Sequence, residues 1–370
     1  MNPLVSNFFA IPFTHSLLLF TLISIISIIA ATQHYLSLLF SLYALTIGYV
    51  FYKNSLSYLM HIILMLFFSF LIITRIHNQQ KEYLSHRHLL TVPIMIHGSI
   101  EQINHATLIK NQTTLIIKTE FIEYKRKKIN IKKKIAIFFP TEKTDSLKEE
   151  DSISVYYITL NQPEHNSEYE RYLIKENFWA VAHATIYTNF EHFSKEPSLK
   201  QQIINSFYHH LSTLSSSLFD PLFLGKKEKN EKSLIIQHQS MYWGIAHHMA
   251  RSGAHLAILF GLIMLLLHYS QLPYFLRYTL CIFLLIGYGI ISQNSISFLR
   301  ALYMILFHIA SKLCNHIPSS LHTLTITTFI ILLFNPMQLF FLDFQLSFGI
   351  TYIIIWLFNI KSTKTIAFYK

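Results

Sequence analysis

The sequence predicts an α-helical polytopic membrane protein in which a small, water-facing β domain is inserted between two helical blocks. Of its 370 residues, 52% are hydrophobic and only 13% are charged, whereas about a quarter of the residues of an average soluble domain are charged. The apolar residues are concentrated in windows that reach the length of about 17–25 residues needed to cross a bilayer. Short runs rich in β-branched and aromatic residues lie between the two sets of windows.

The two helical blocks are residues 1–75 and residues 241–370. Since lipid accepts only helices or closed barrels, the first block predicts about three membrane helices and the second about five. The windows of the first block are residues 16–32, 35–52 and 58–73. Those of the second block are residues 254–269, 277–291, 297–313, 321–334 and 339–360.

Between the blocks, residues 76–195 predict the β domain, and residues 196–240 predict an amphipathic helix followed by a charged loop. The β domain is indicated by the runs "VPIMIHGSIEQI", "TTLIIKTEFIEY", "KKKIAIFFP" and "SISVYYITL", whose spacing is typical of a small barrel or sandwich. A short helix and a final strand follow them. The amphipathic helix, over residues 198–224, has a helical apolar period suited to the bilayer interface.

A basic hairpin is predicted within the β domain. Basic grooves interleaved with aromatic residues bind single-stranded nucleic acid without reading its sequence. A solvated loop, or a contact with lipid headgroups, is the alternative interpretation. The candidate DNA-binding residues are Lys125, Arg126, Lys127, Lys128, Lys132, Lys133 and Lys134, with Phe121 and Tyr124 nearby.

The charge distribution orients the chain in the membrane. Residues 77–240 carry 21 Lys and Arg against 18 Asp and Glu, whereas the rest of the chain carries nine against the single Asp343. With the β domain outside the cytoplasm, six basic residues fall in cytoplasmic short segments and three fall outside, and the positive-inside rule favours this orientation. The six are Lys53, Arg277, Lys312, Lys361, Lys364 and Lys370, and the three are Arg75, Arg251 and Arg300.

The stretch "GIAHHMARSGAHLAILFGL", residues 244–262, places polar residues at the mouth of a membrane helix. If it is helical, His248, Arg251, Ser252 and His255 share one face, because residues three and four apart are neighbours. An interfacial cap, which marks where the helix leaves the bilayer, is the simplest interpretation. No metal site is predicted, because His248 and His255 lie about 10 Å apart along the helix axis.

Two further segments place polar groups inside apolar windows. The segment "SISFLRALYM" contains Arg300, which either faces a wet bundle interior or extends to the headgroups. The segment "FLDFQLSFGI" contains Asp343, Gln345 and Ser347. These three either line the same polar interior or form interhelical hydrogen bonds that hold the bundle together.

The chain carries no recognisable catalytic or cofactor motif. It has nine glycines and no phosphate-binding loop, and its two cysteines, Cys281 and Cys314, both lie in apolar segments. We therefore predict no cofactor, no metal and no enzymatic activity. A membrane hydrolase using His247, His248 and His255 is retained as an alternative.

Four segments together resemble the ComEC/Rec2 competence family. They are "GIAHHMARSGAHLAILFGL", "SISFLRALYM", "NPMQLFFLDFQLSFGI" and, upstream, "NQPEHNSEYERYLIKENFWA". Their order is that of the family and they extend over most of the chain. The matching positions that we assign to a translocation path are Gly244, His247, Ser252, Gly253, His255, Arg300, Phe344, Gln345, Ser347 and Phe348, to which we add Arg251.

The resemblance implies a bacterial inner-membrane channel that takes up single-stranded DNA during natural transformation, with an OB-like domain on the outer side. The implied partners are the lipid bilayer, single-stranded DNA and other competence proteins such as a DNA receptor and a helicase. A homo-oligomer is compatible with this function. A membrane scaffold, or an inactive remnant of the same fold, is the alternative.

The sequence departs from the family pattern at four positions. Lys226 replaces an acid, Asn335 replaces an aspartate, Asp343 replaces a glycine, and Arg251 replaces an aliphatic residue. The C-terminal metallo-β-lactamase-like domain of many full-length members is also expected to be absent. Any degradation of the non-transported strand would then need another protein.

Overall fold

The computed structural model describes most of the chain from residue 56 onward. The described residues are 25–26, 28–29, 56–105, 112–144, 147–163, 167–225, 231–244, 252–292, 295–316 and 319–368. The predicted helix over residues 35–52 and most of that over residues 16–32 lie outside them. The described residues of Met1–Gln79, Ser252–Ile290 and Asn294–Lys370 form one compact unit, and those of Gln80–Arg251 and Ile291–Gln293 form another.

The helix predicted over residues 58–73 is the start of α1, Leu56–Leu84, which continues for 29 residues. Its last turns are polar, "HNQQKEYL", and carry the chain into the β unit. There the Nε2 atom of Gln162 donates to the carbonyl oxygens of Tyr83, at 3.1 Å, and Trp179, at 2.9 Å. The indole of the fully buried Trp179 donates to the carbonyl of Ser85. These bonds fasten the end of α1 to the sheet.

The predicted β domain is confirmed as an eight-stranded sheet with one short helix. The four sequence runs that predicted strands all form strands. The strands are β1 (Ile94–His105), β2 (Gln112–Tyr124), β3 (Lys127–Ile129), β4 (Lys134–Pro140), β5 (Ser152–Ile158), β6 (Leu160–Asn161), β7 (Phe178–His183) and β8 (Phe190–Phe193). The short helix is α2, Glu168–Lys175, and lies between β6 and β7.

The sheet closes on itself. The strand order is β6-β7-β4-β2-β1-β5-β8, with β3 beside β2. Only Thr159 separates β5 from β6, so one bent segment pairs with β1 at its start and with β7 at its end. Tyr157, whose φ of 53° is left-handed, lies in an irregularity of the β1–β5 pairing. All pairs are antiparallel except β4 with β7.

Because successive side chains of a strand point to opposite faces of the sheet, the strands contribute to two separate apolar clusters. The inward residues, among them Ile96, Ile117, Phe139 and Trp179, are fully buried in the barrel. A second cluster on the outer side of β4 and β7 joins Phe178 and Val181 to residues of α2 and to Tyr83. Burial of such side chains stabilises the fold by about 1.5–3 kcal/mol each.

The predicted single amphipathic helix over residues 198–224 is wrong in one respect. The segment forms α3, Leu199–His210, α4, Thr213–Phe219, and a π-helical turn, Asp220–Leu224. The break occurs because Leu211 is extended and Ser212 caps the next helix, accepting the Ser215 N–H at 3.2 Å. Helix α5, Glu231–Tyr242, follows.

The five windows of the second block all form helices, although the helix of the window over residues 339–360 begins only at Leu342. They form α6 (Gly253–Tyr269), α7 (Tyr274–Ile291), α8 (Ile296–Leu313), α9 (Ser320–Phe334) and α10 (Leu342–Phe368), with a 3-10 turn, Pro336–Phe340, before α10. Helices α6, α7 and α8 share a core that includes Leu256, Leu285 and Phe298. Among the described residues, α7 and α8 are long and apolar enough to cross a membrane, while α6, α9 and the apolar part of α10 are shorter.

Candidate functional site

The start of α6 is built as a helix cap. Ser252 is its N-cap residue, and its N–H donates to the His255 Nδ1 atom at 3.1 Å. The Ser252 Oγ atom lies 3.0 Å from the same nitrogen. This bonding satisfies backbone groups that a helix N-terminus otherwise leaves exposed.

Residues 245–251 of the same stretch, among them His247, His248 and Arg251, lie outside the described residues. Gly244 follows α5 and adopts a left-handed φ of 68°. The assignment of these residues to a translocation path therefore stays a prediction.

Three of the sequence segments lie where α8 packs against α6 and against α10. A Cβ atom added to Gly253 would lie 3.1 Å from the Ala301 Cβ atom and 3.9 Å from the Arg300 Nη2 atom. The Ser297 Oγ atom donates to the Ser347 Oγ atom across 3.3 Å. We call Gly253, Ser297, Arg300, Ser347 and Thr351 the three-helix junction.

Arg300 makes the central contacts of this junction. Its half-buried guanidinium donates to the Ser347 carbonyl oxygen and to the Thr351 Oγ1 atom. The Thr351 hydroxyl also donates to the Ser347 carbonyl, at 2.8 Å. The Arg300 Cζ atom lies 6.0 Å from the centre of the Phe348 ring, within the range of a cation–π contact. Because an unpaired charge in an apolar bundle is costly, these contacts explain how Arg300 is accommodated between helices.

The side chains of the "FQLSF" segment of α10 lie in two different environments, one buried and one exposed. Phe344 and Phe348 are buried, with ring centres 4.5 Å apart. Gln345 is exposed and donates from Nε2 to the Leu339 carbonyl at 2.9 Å. The structure thus brings Ser347 and Phe348 to Arg300 but not Gln345, whose described hydrogen bond holds the 3-10 turn against α10.

A second candidate surface is the predicted basic hairpin, at the turn between β2 and β3. Its central residues Lys125 and Arg126 have φ values of 48° and 62°, the two-residue geometry that usually requires Asn-Gly. Lys133 and Lys134 pair with Glu82 and Glu101, at 3.1 Å and 2.7 Å. The remaining five cations are exposed and pair with no described acid: Lys125, Arg126, Lys127, Lys128 and Lys132.

Aromatic side chains lie beside these cations. The Lys128 Nζ atom is 4.7 Å from the centre of the Phe121 ring, and the Lys125 Nζ atom is 5.2 Å from the centre of the Tyr124 ring. His97 stacks on Phe121 with ring centres 4.5 Å apart and planes 21° apart. The His97 Nδ1 atom lies 2.8 Å from the Ser154 Oγ atom. His97, Ser154 and Thr351 were not singled out from the sequence, although period-two alternation in "IMIHGSI" places His97 opposite the inward isoleucines.

Protonation of His97 at acid pH is expected to lower the free energy of unfolding of the β domain. Burial lowers the pKa of His97 from 6.5, and the nearby Lys128 ammonium acts in the same direction, while Glu123 and Glu120 oppose it. The unfolded chain therefore binds a proton at higher pH than the folded domain. The free energy of unfolding is expected to be at its full value above pH 6.5 and to fall as the pH drops from there through the lowered pKa.

Hydrogen exchange of β1 in the full chain, at neutral and mildly acidic pH, measures this loss. His97→Gln should remove the contribution of His97 to the pH dependence. An unchanged pH dependence in His97→Gln would contradict the assignment.

Adding a side chain at Gly253 is expected to separate α6 from α8. Gly253→Val introduces atoms where a Cβ alone is already 3.1 Å from Ala301, and overpacking of this kind costs about 1–3 kcal/mol. Gly261, on the same helix, has no atom within 4 Å of an added Cβ. Gly261→Ala is therefore the matched control and should be neutral or stabilising by about 0.5–1 kcal/mol. Thermal unfolding of the detergent-purified chain compares them, and equal melting temperatures would refute the close packing.

The fold and the three-helix junction define the chain as an apolar helical bundle combined with a β barrel. Residues 222–366 match the family model described as "Competence protein". The predicted resemblance is confirmed over this range, which includes three of the four segments.

The chain is also similar to "ComE operon protein 3" of Bacillus subtilis (strain 168), with 26% identity over 212 residues. The alignment covers 53% of this chain but only 26% of that relative. No solved structure matches the chain. No group of three or more potential metal ligands occurs in the part of the chain that the structure describes.

Proposed function

We propose that the chain is an inner-membrane channel for single-stranded DNA, with the β barrel on the outer side. The observation that carries the proposal is the three-helix junction, at which one segment of the matched competence region, on α8, contacts two others, on α6 and α10. The match of residues 222–366 to the competence-protein family model and the similarity to ComE operon protein 3 suggest a role in DNA uptake at the level of the family.

The helical unit supports transport because it combines apolar helices with a charged, hydrogen-bonding interior. Helices α7 and α8 have the length and composition of membrane spans, and α8 carries Arg300 near its start. A channel for a polyanion needs cationic and hydrogen-bonding groups at membrane depth that do not trap the strand. The hydroxyl groups of Ser297, Ser347 and Thr351 beside Arg300 are groups of this kind.

The β barrel supports a role in receiving the strand. Its closure through β5 and β6, with a parallel β4–β7 pair, is consistent with an OB-like barrel, a fold that often binds oligonucleotides. The hairpin tip holds Lys125 and Arg126 in backbone conformations that cost non-glycine residues free energy. Binding of a phosphate group explains why Lys125 and Arg126 occupy these positions in place of glycine or asparagine.

A scaffold without transport is the second candidate, and the bonding of Arg300 favours it. Its guanidinium contacts α10 directly, as expected of a residue that holds helices together. We also propose that the chain itself has no hydrolytic activity, so any strand degradation is performed by another protein.

Uptake of labelled DNA by a deletion strain complemented with this chain separates the two candidates. A channel should restore the entry of label into a nuclease-protected, cytoplasmic fraction. A scaffold should leave that fraction empty while membrane levels of the chain are normal, and this result would overturn the proposal. Degradation of DNA by the purified chain would overturn the absence of hydrolytic activity.

A further inference from the structure

A row of side chains crosses the outer face of the barrel beside the basic hairpin. Phe121 on β2 is paired in register with His97 on β1, which is paired in turn with Ser154 on β5. These three residues are only partly buried. They lie on the side of the strands opposite to the inward Ile96, Ile122 and Val155, which are completely buried.

Phe121 is held from one side and covered from the other. Because β1 and β3 flank β2, His97 and Lys128 approach the Phe121 ring from opposite sides. The His97 ring is fixed in turn by its hydrogen bond to Ser154, at 2.8 Å. Lys128 is exposed, and its ammonium, 4.7 Å from the ring centre, ends a flexible side chain. One face of Phe121 is therefore rigidly backed, while the other is covered by a group that can move away.

The relative strengths of two interactions decide what this arrangement binds. An ammonium over an exposed aromatic ring contributes about 0.5–1 kcal/mol. A nucleic-acid base stacked on an aromatic side chain contributes about 1–3 kcal/mol. A base is therefore expected to displace the Lys128 ammonium, which then reaches the phosphate of the same nucleotide. We propose that Phe121, backed by His97 and flanked by Lys128, is a base-stacking subsite for one nucleotide of single-stranded DNA.

Neighbouring charges indicate where the backbone of the strand runs. The carboxylates of Glu120 and Glu123 act electrostatically on His97, and Glu123 is paired in register with Lys128, so these two acids repel phosphates from the strand positions beside Phe121. The exposed cations Lys125, Arg126 and Lys127 lie beyond this pair, at the turn between β2 and β3. The phosphates are therefore drawn toward the hairpin while the base covers Phe121. This inference rests on the proposed function and assigns the barrel a specific contact with the transported strand.

Binding of a fluorescent oligothymidine by the full chain in zwitterionic nanodiscs tests the subsite. Phe121→Leu removes the aromatic ring and is expected to weaken binding by about fivefold to a hundredfold. Because no charge is removed, the dependence of affinity on salt should not change. Tyr187→Leu, at a loop position that is 90% exposed, is the matched control and should bind as the wild type does. Phe121→Trp keeps a stacking surface and should retain binding.

Two further measurements distinguish stacking from simple charge attraction. Lys128→Gln should lower the salt slope by about 0.7, the value for one phosphate contact on a single strand. An abasic strand of the same length should bind wild type and Phe121→Leu equally, because it offers no base to stack. A difference between them on the abasic strand would overturn the subsite.

The failure of this inference is distinguishable from that of the proposed function. If the wild type binds the strand but Phe121→Leu binds equally well, only the subsite is overturned. If the wild type binds no strand at all, both the subsite and the barrel's role in receiving DNA are overturned. Preference for an acidic polypeptide over the oligonucleotide would also overturn both.

Discussion

Replacing Arg300 with alanine is expected to abolish DNA uptake and to destabilise the helical unit. The substitution removes donors to the Ser347 carbonyl and the Thr351 hydroxyl and leaves a gap between α8 and α10. Hydrogen bonds that involve a charged group contribute about 1.5–3 kcal/mol each, so a loss of a few kcal/mol is expected. Transformation frequency of a complemented deletion strain and thermal unfolding of the purified chain measure the two effects.

Arg300→Lys should restore only part of both quantities. An ammonium on a shorter side chain lacks the planar fork of the guanidinium and cannot reproduce its geometry between Ser347 and Thr351. Arg277→Ala is the matched control. Arg277 also donates to a backbone carbonyl, that of Leu272 at 3.1 Å. It lies near the start of α7, however, whereas the three-helix junction lies near the start of α8, which follows the end of α7. Wild-type uptake by Arg300→Ala at normal membrane levels would refute the importance of the junction.

A double-substitution cycle distinguishes two roles for Arg300. It either holds α8 to α10 through Thr351, which we call the clamp, or it contacts DNA. If Arg300 acts through Thr351, Arg300→Ala combined with Thr351→Val should cost less stability than the sum of the two single changes, because the partners share one interaction. If Arg300 instead contacts DNA, Thr351→Val should leave uptake nearly unchanged. Additive losses of stability would contradict the clamp.

The sequence predicted the described elements well where periodicity was strong. The strands of the barrel and the helices from Gly253 onward were expected because β-branched alternation and long apolar windows leave few alternatives. The amphipathic segment over residues 198–224 was less predictable, since its apolar period continues through Leu211 although the chain is extended there. The cap made by Ser212 is a local hydrogen bond, and it overrides periodicity.

The candidate site was only partly predictable for a different reason. The residue types of the family segments identified Gly253, Arg300 and Ser347, and the structure brings these together. The structure also adds Thr351, which is four residues from Ser347 and, like Arg300, donates to the Ser347 carbonyl oxygen. Gln345 lies two residues before Ser347 and so points about 200° away from it around the helix, because each residue adds about 100°. The polar residue of α10 that contacts Arg300 is determined by how α8 and α10 pack. This packing cannot be deduced from the residues of α10 alone.

The contact between His97 and Phe121 likewise depends on more than the local sequence. Alternation assigns it to the outer face of β1, but its stacking on Phe121 requires the register between β1 and β2. That register shifts between His97 and Gly98, so that His97 faces Phe121 while Gly98 faces Thr119. Glu120 is the extra residue of this bulge. The position of the stacking row is thus determined by an irregularity that depends on one glycine.

Gly98→Ala is expected to be the most disruptive single-methyl substitution in the barrel. An added Cβ would lie 2.4 Å from the Lys118 carbonyl oxygen and 2.9 Å from the Ile117 Cγ2 atom. The nearer atom belongs to the backbone of the paired strand and cannot rotate away, so β1 and β2 must move apart. Overpacking that side-chain rotation relieves costs about 1–3 kcal/mol, and we expect this backbone clash to reach or exceed the upper end of that range.

Ser99→Ala is the matched control for Gly98→Ala, since it changes the next residue by one small group on the partly exposed face. Its effect should stay within about 0.5 kcal/mol. Hydrogen exchange of β1 and β2 in the full chain should show loss of protection in Gly98→Ala alone. Because the bulge sets the pairing of His97 with Phe121, Gly98→Ala should also weaken oligothymidine binding, whereas the salt slope set by the hairpin cations should persist. Full protection of β1 in Gly98→Ala would refute the close approach of the two strands, and with it the physical reason for a glycine beside the stacking row.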